Sequence, residues 1–507
     1  MSRLARSTLI VAVFFGLEKV LGFVRQLLIA RQFGLSTELD VFNAANNLPD
    51  LIFVLVSGGT LAMAFIPVLS ETLEKQGRAE AWKLFSRIAN LVFLVTAALS
   101  VLVGLFAQVL VERVITPGFS VEQQQLVVEL MRLNLVATLI FSLSGLVIAG
   151  LQANQHFLLP AMAPAMYDLG MLFGVIVLAA EPGAYQIGPV TLPSFGLGIH
   201  GMVYGAILGA LLYLGIQVPG LVRYGFRWLP EISLRNPAVL RVLSLLGPRI
   251  LTVVFIQLVF ILQDNIASWL VVGSVSALVY GWLFMQVPET IIGTAIATVL
   301  LPTLSEQVAH NDDDGFRQSL NRSARVILAL TLPAAGLLMA GIGPLVGVLG
   351  FEGTGADLVV WTVRAYMCGL VGHALLEVAA RGFYARQNAL TPMIFSGVAA
   401  LTFAVLAYTL SRPLGAPGIG LANSVAYTLE ALILWYLTSR KYPGVLAVGK
   451  TLLRAVLAAL LGAAVVYGLL QVALPLHYVL HGALALVVGG LAAIPLIWPE
   501  LKLLVKL

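Results

Sequence analysis

The residues in this chain that could do chemistry are charges placed where charge is expensive. Its first long apolar run carries Glu18, Lys19 and Arg25. Spacings of 4 and 3 put Glu18, Gly22 and Arg25 on one helical face, with Lys19 and Gln26 beside them. At membrane depth each charge would cost at least about 2.5–3.5 kcal/mol, so each calls for a partner or a function. An ion pair from Glu18 to either base would offset burial. One acid cannot neutralise two bases, however, and a surplus of positive charge in a cavity suits an anion such as a phosphate.

The second run is polar in a stripe, because Asp40, Asn43, Asn47 and Asp50 step by 3, 4 and 3. Asn46 widens the stripe and Ser57 extends it, while Pro49 and Ser57-Gly58-Gly59-Thr60 loosen the helix that carries it. Asparagines can simply glue membrane helices together, but four polar residues in line favour a water-lined wall. The matching run of the second half has Gln286, Pro288, Glu289, Thr290, Thr294 and Thr298, with Glu289 its one acid. Glu129 and Arg132, three apart, are expected to pair within one helix. Asp168, Asp264, Arg364, Glu377 and Glu430 are single charges that either pair across helices or bind a coupling cation. His200 and His373 are read as packed or hydrogen-bonded side chains, and Asp312-Asp313-Asp314 as a solvated turn. Six His and one Cys, Cys368, are too scattered for a zinc site. No glycine cluster is followed by the Lys and Ser/Thr of a phosphate-binding loop, so no nucleotide site is expected.

Such residues can be held only by a membrane scaffold. With 60% hydrophobic and 10% charged residues, the chain falls far from soluble domains, of which about a quarter of residues are charged. Apolar stretches long enough to cross about 30 Å of hydrocarbon recur from residue 8 to residue 499. About fourteen are predicted, at 8–30, 40–69, 86–111, 124–151, 160–180, 197–221, 243–272, 275–304, 323–349, 357–381, 391–411, 417–438, 452–474 and 478–498. With an even count, 22 of the 29 basic residues fall on one side, which marks that side, and both termini, as cytoplasmic. The net charge of +5 follows from topology, so no nucleic-acid partner is implied. Glu18, Lys19 and Arg25 interrupt the first run and no small-residue cleavage site follows, so it is read as a retained helix.

The chain also echoes itself. Ile66-Pro67-Val68-Leu69-Ser70-Glu71 returns as Leu301-Pro302-Thr303-Leu304-Ser305-Glu306, Gly118-Phe119 as Gly350-Phe351, and Gly150 to Pro160 as Gly382 to Pro392. An all-α architecture follows: a six-helix lobe over residues 1–225, a second over 235–440, and two further helices over 450–507. Each copy has an even helix count, so the repeats are parallel, and a site is expected in a cavity between them.

Leu21-Gly22-Phe23-Val24-Arg25, Asp40-Val41-Phe42, Leu48-Pro49, Ala64-Phe65-Ile66-Pro67 and Gly382-Phe383-Tyr384-Ala385-Arg386-Gln387 with Thr391-Pro392 together resemble the MurJ (MviN) lipid II flippases of the multidrug/oligosaccharidyl-lipid/polysaccharide exporter superfamily. The resemblance implies a bacterial inner-membrane transporter, not an enzyme. It would flip undecaprenyl-diphosphate-linked peptidoglycan precursor from the cytoplasmic to the outer leaflet by alternating access. Arg25 then matches a cavity arginine, Lys19 stands where another arginine is usual, and Asp40 matches an acid opening the second helix. The candidate substrate-binding set is Lys19, Arg25, Asp40, Asn43, Asn47 and Asp50; the candidate coupling or polar set is Asp264, Gln286, Glu289 and Asn388. No cofactor or metal is implied, and transport would be coupled to sodium, protons or the membrane potential. The partners implied are the lipid-linked substrate and the bilayer, with the protein acting as a monomer.

The departures from the family pattern fall on charges: Phe53 and Val54 replace an arginine pair, Gly281-Trp282-Leu283 replaces Ala-Asp-Arg, and Asn388 replaces an acid. They leave two alternatives open, a flippase for another polyprenyl-linked glycan and an ion-coupled exporter of small amphipathic cations. A polyprenyl-dependent glycosyltransferase would need an acid on an outer loop, for which Glu38 and Asp40 could be offered; the duplication and the lack of a periplasmic domain speak against it.

Overall fold

A computed structural model describes residues 3–56, 59–187, 190–472, 475 and 477–504. Ser57 and Gly58, expected to loosen the second span, lie outside the described residues, as does Lys506. The chain forms two compact units, Met1–Ile261 and Leu262–Leu507.

The first unit opens with α1 (Arg3–Phe33), and the second predicted span is traced by α2 (Thr37–Ala45) and, after an interruption at Asn46, by α3 (Asn47–Val56) and α4 (Gly59–Gln76). Then come α5 (Arg78–Leu110), α6 (Val121–Ala153), α7 (Leu158–Phe173), α8 (Ile199–Gly215), α9 (Val218–Arg223) and α10 (Pro237–Ala267), which runs on into the second unit. The second unit continues with α11 (Ser274–Glu289), α12 (Ala295–Ala309), α13 (Asp313–Val348), α14 (Gly353–Met367) and α15 (Leu370–Ala385). It ends with α16 (Leu390–Leu414), α17 (Ala416–Lys441), α18 (Gly449–Gln471) and α19 (Tyr478–Leu504). Wide π turns close α5 at Val111–Ile115 and α7 at Gly174–Ala179, and another joins α11 to α12 at Thr290–Thr294. Among the described residues one antiparallel strand pair joins Gln186–Ile187 to Val190–Thr191.

Among the described residues each of the fourteen predicted spans falls mostly on helix, and eleven helices are long and apolar enough to cross a membrane. The three others are α1, the broken second span, and α10, whose shorter apolar stretch is Val253–Ala267. Exposure is inverted relative to a soluble protein: Leu105 on α5 is 72% exposed and Leu460 on α18 is 64% exposed, as side chains facing lipid must be.

The sequence repeat is also a repeat of backbone geometry. α6 ends at Ala153 and α7 begins at Leu158; α15 ends at Ala385 and α16 begins at Leu390, 232 positions on in both cases. Between them, Gln155 and Gln387 both adopt φ 58°, a left-handed conformation unusual for a residue with a side chain. The His156 amide donates to the Leu151 carbonyl at 2.9 Å, and the Asn388 amide to Phe383 at 3.0 Å. The copies diverge in side chains. Arg386 stacks between Phe316 and Tyr442, 4.2 and 3.9 Å from the ring centroids, while Asn154 at the matching place caps its own helix through Gly150.

α7 and α8 approach until their backbones touch. A Cβ on Gly174 would lie 2.6 Å from the Gly205 Cα, and one on Gly205 would lie 2.6 Å from the Gly174 Cα. Gly170 and Gly209 repeat the contact one turn away, the small-residue spacing that lets membrane helices pack without intervening side chains. The last carbonyls of the π turn after α7 are met by the returning loop, whose Phe195, Leu197, Gly198 and Gly196 amides donate to Val177, Leu178, Ala179 and Ala180. Gly205→Leu is expected to cost at least the roughly 1–3 kcal/mol of an overpacked core. It should lower the thermal unfolding midpoint of the purified protein, whereas Gly215→Leu, with open space around it, should leave the midpoint unchanged.

Candidate functional site

The first unit holds an open cavity of about 370 Å³. α1 contributes Glu18 and Arg25, and the broken second span contributes Asn46, Pro49, Asp50 and Phe53; α6 adds Asn134, Thr138 and Phe141, α7 adds Pro164, Tyr167 and Asp168, and α8 adds Tyr213.

Its strongest contact is the ion pair from Arg25 Nη1 to Asp168 Oδ1 at 2.6 Å, with the Asp168 side chain 4% and the Arg25 side chain 20% exposed. The guanidinium also lies 5.6 Å from the Tyr167 ring centroid. Gly22, one turn before Arg25, gives the carboxylate room: a Cβ there would sit 3.7 Å from Asp168 Oδ2. Lys19 turns outward, 77% exposed, and meets Glu18 at 3.2 Å. The surplus of positive charge expected on the first helix is therefore corrected, because Asp168, from a helix distant in sequence, supplies the second acid. Two bases face two acids, and the group is neutral overall.

The polar stripe is not one continuous face. α2 ends at Asn46, whose side-chain amide returns to the Phe42 carbonyl at 3.0 Å, and Asn47 at the start of α3 returns to Ala44 at 3.2 Å. These bonds meet carbonyls at a break where Pro49 offers no N–H. The break changes which residues reach the cavity. Asn46 and Asp50 line it, with Asn134 donating to Asn46 Oδ1 at 2.8 Å. Asp40 is buried in the first turn of α2, and Asn43, Asn47 and Lys19 are not in the lining. Phe53, in a position where an arginine is usual in the resembled family, stacks edge-on against Phe141 at 5.3 Å.

In the second unit Asp264 is buried, and the neighbouring Gln263 accepts the Tyr366 hydroxyl at 2.6 Å. His373 bonds Asn423 at 3.0 Å and packs on Tyr427 and Trp282. Glu289 accepts from Thr294 at 3.1 Å, next to the π turn, while Gln286 is exposed. Asn388 is exposed just before α16, accepting the Thr391 amide at 3.1 Å and donating to its hydroxyl at 2.9 Å. Other single charges find partners too: Glu377 pairs with Arg381 at 3.0 Å, Glu430 accepts from Ser396 at 2.6 Å, and Arg364 donates to Met339 at 2.9 Å.

Two local expectations are corrected. Glu129 meets His200 on α8 at 3.2 Å instead of Arg132, which donates to the Gly104 carbonyl at 3.0 Å. Asp312 caps α13, Asp313 accepts from Tyr442 at 2.8 Å and Asp314 pairs with Arg317 at 2.9 Å, so the acidic run is more than a solvated turn. Tyr167, Tyr213, Asn134 and Phe141 went unread in the sequence. Asn134, Thr138 and Phe141, spaced 4 and 3, were the available signal on α6. Among the described residues no group of His, Cys, Asp and Glu is arranged to hold a metal.

Comparison with known proteins agrees with this picture. Residues 29–488 match the family described as lipid II flippase MurJ. A Burkholderia cenocepacia protein named "Lipid II flippase MurJ" is 31% identical over 445 residues, covering 85% of this chain and 83% of the relative. A Rhizobium meliloti protein named "Probable lipid II flippase MurJ" is 30% identical, covering 82% and 77%. Of solved structures, "Lipid II flippase MurJ, inward closed conformation" superimposes with a TM-score of 0.80 at 22% identity, over 97% of this chain and 100% of the other. An inward-facing multidrug resistance transporter of the MATE family, within the MOP superfamily, follows with a TM-score of 0.67 at 12% identity, over 86% of this chain and 96% of the other. The fold is thus that of MOP-superfamily transporters, and the chain, a multi-pass membrane protein matched along most of its length, belongs to the lipid II flippase MurJ family.

Proposed function

We propose that this protein carries lipid II, the undecaprenyl-diphosphate-linked peptidoglycan precursor, from the cytoplasmic to the outer leaflet of the bacterial inner membrane. It works by alternating access, as a monomer that makes and breaks no covalent bond. Both termini are cytoplasmic, on the strength of the basic residues gathered on that side. The observation that carries the reading is the Arg25–Asp168 pair in the wall of a polar cavity among membrane-crossing helices. Dragging a charged, sugar-bearing head through hydrocarbon is prohibitive without such a path.

Asp168 engages one terminal nitrogen of Arg25, and a guanidinium has five N–H donors in a planar fork. A diphosphate oxygen can join or displace the carboxylate at the remaining donors, while Asn46, Asn134 and Asp50 offer groups for sugar hydroxyls. Because Arg25 and Lys19 each already face an acid and the lining adds Asp50, a diphosphate brings in uncompensated negative charge. Its passage therefore calls for a compensating cation, sodium or a proton, or for the membrane potential.

The acids of the lining keep a second reading, an ion-coupled exporter of small cations, and Arg25 separates the two. In cells depleted of their own lipid II flippase, the wild-type chain should restore growth. Arg25→Ala should fail, with flipping reduced roughly ten-fold or more, the worth of one charge-assisted hydrogen bond. An exporter would keep or gain activity in that variant. Folding is read separately: Asp168→Asn alone leaves a stranded guanidinium and should cost about 3 kcal/mol of stability. Arg25→Gln combined with Asp168→Asn should recover most of the thermal midpoint while still failing to transport.

A further inference from the structure

The segment between α9 and α10 is a strap bonded along one side and bare along the other. Asn90 on α5 donates to the carbonyls of Leu229 at 2.7 Å and Glu231 at 2.9 Å, and accepts from the Trp228 indole at 2.8 Å. The Leu229 amide donates to Ser86 Oγ at 3.3 Å, and Arg87 pairs with Glu231 at 2.9 Å. These polar groups face α5, while Trp228 is 61% exposed and Ile232 and Leu234 are each 54% exposed. Arg227 and Arg235, also exposed, flank them, and the segment's one acid, Glu231, is already paired.

α5 fixes the depth at which this surface lies. From Leu91 to Val111 the sequence runs without a charge, a length of about 31 Å at 1.5 Å per residue, close to the thickness of the hydrocarbon. Phe93, Leu94 and Val95 are lipid-exposed within that run. Ser86, Arg87 and Asn90 stand just before it, so the strap is bonded to α5 at the level where acyl chains give way to headgroups. Tryptophan and arginine are the residues that such a boundary favours.

We infer that the strap joining the two repeats is an interfacial anchor, inserting Trp228, Ile232 and Leu234 among the lipids and gathering anionic phospholipid headgroups at Arg227 and Arg235. The depth holds whichever way the chain is inserted; the assignment to the cytoplasmic leaflet rests on the orientation proposed above. Each arginine near an anionic surface is worth roughly a five-fold enrichment of such lipids.

The test uses the full chain in lipid nanodiscs, with Cys368→Ser removing the native thiol and a nitroxide attached through Ile232→Cys. Glu74→Cys serves as the aqueous reference and Leu105→Cys as the hydrocarbon reference. Accessibility to oxygen relative to an aqueous nickel chelate should fall between the references at Ile232, and move toward Leu105 when phosphatidylglycerol replaces phosphatidylcholine. Arg227→Gln with Arg235→Gln should abolish that shift and keep the intermediate depth. A water-like reading at Ile232 in phosphatidylglycerol overturns the anchor, and equal readings in both lipids overturn the anionic preference. Labelling of Ile232→Cys by an impermeant maleimide in intact spheroplasts would overturn the cytoplasmic placement alone, and none of these outcomes depends on whether lipid II is the substrate.

Discussion

Charge inside hydrocarbon must be neutralised close at hand, and in the first unit the 2.6 Å contact between Arg25 and Asp168 does this. The two residues stand 143 positions apart, so the pair also fixes how α1 lies against α7. Gly22 has no side chain where the carboxylate needs room. Tyr167, beside Asp168 in sequence, turns its ring toward the guanidinium. The cavity is what remains once that contact and the α7–α8 contact are both made.

Pairing shapes the chemistry more than the number of charges does. A cavity with free positive charge would hold a diphosphate too well to release it, whereas one whose arginine already has a carboxylate partner exchanges one acceptor for another. Phe53 and Phe141 add an apolar wall where a more basic one would raise retention. Differential binding along the path, not tightness at one point, is what moves a cargo.

The helices, their number and the duplication were legible because they depend on composition and on period, which any window of sequence reveals. The repeat reached the backbone itself, down to left-handed Gln155 and Gln387. The cavity was half legible: Arg25 and Asp50 announced themselves as charges in apolar runs. Asp168 announced itself too, but its partner did not, since pairing across helices is a property of packing and not of spacing. The stripe from Asp40 to Asp50 misled in one respect. Helical periodicity assumes an unbroken helix, and the stop at Asn46 shifts the register, so that Asn46 faces the cavity and Asn43 and Asn47 do not. Tyr167 and Tyr213 look like ordinary apolar-helix residues until α7 and α8 bring them to one wall.

Contact between the α7 and α8 backbones has a mechanical side. Where Gly174 meets Gly205 there are no rotamers to absorb a displacement, so the two helices translate and rotate as one stave. The wall that carries Asp50 is built differently: its helix is interrupted at Asn46, and the Asn47 side chain reaches back across the joint to the Ala44 carbonyl. The wall that carries Asp168 is locked backbone to backbone, and the wall that carries Asp50 is jointed.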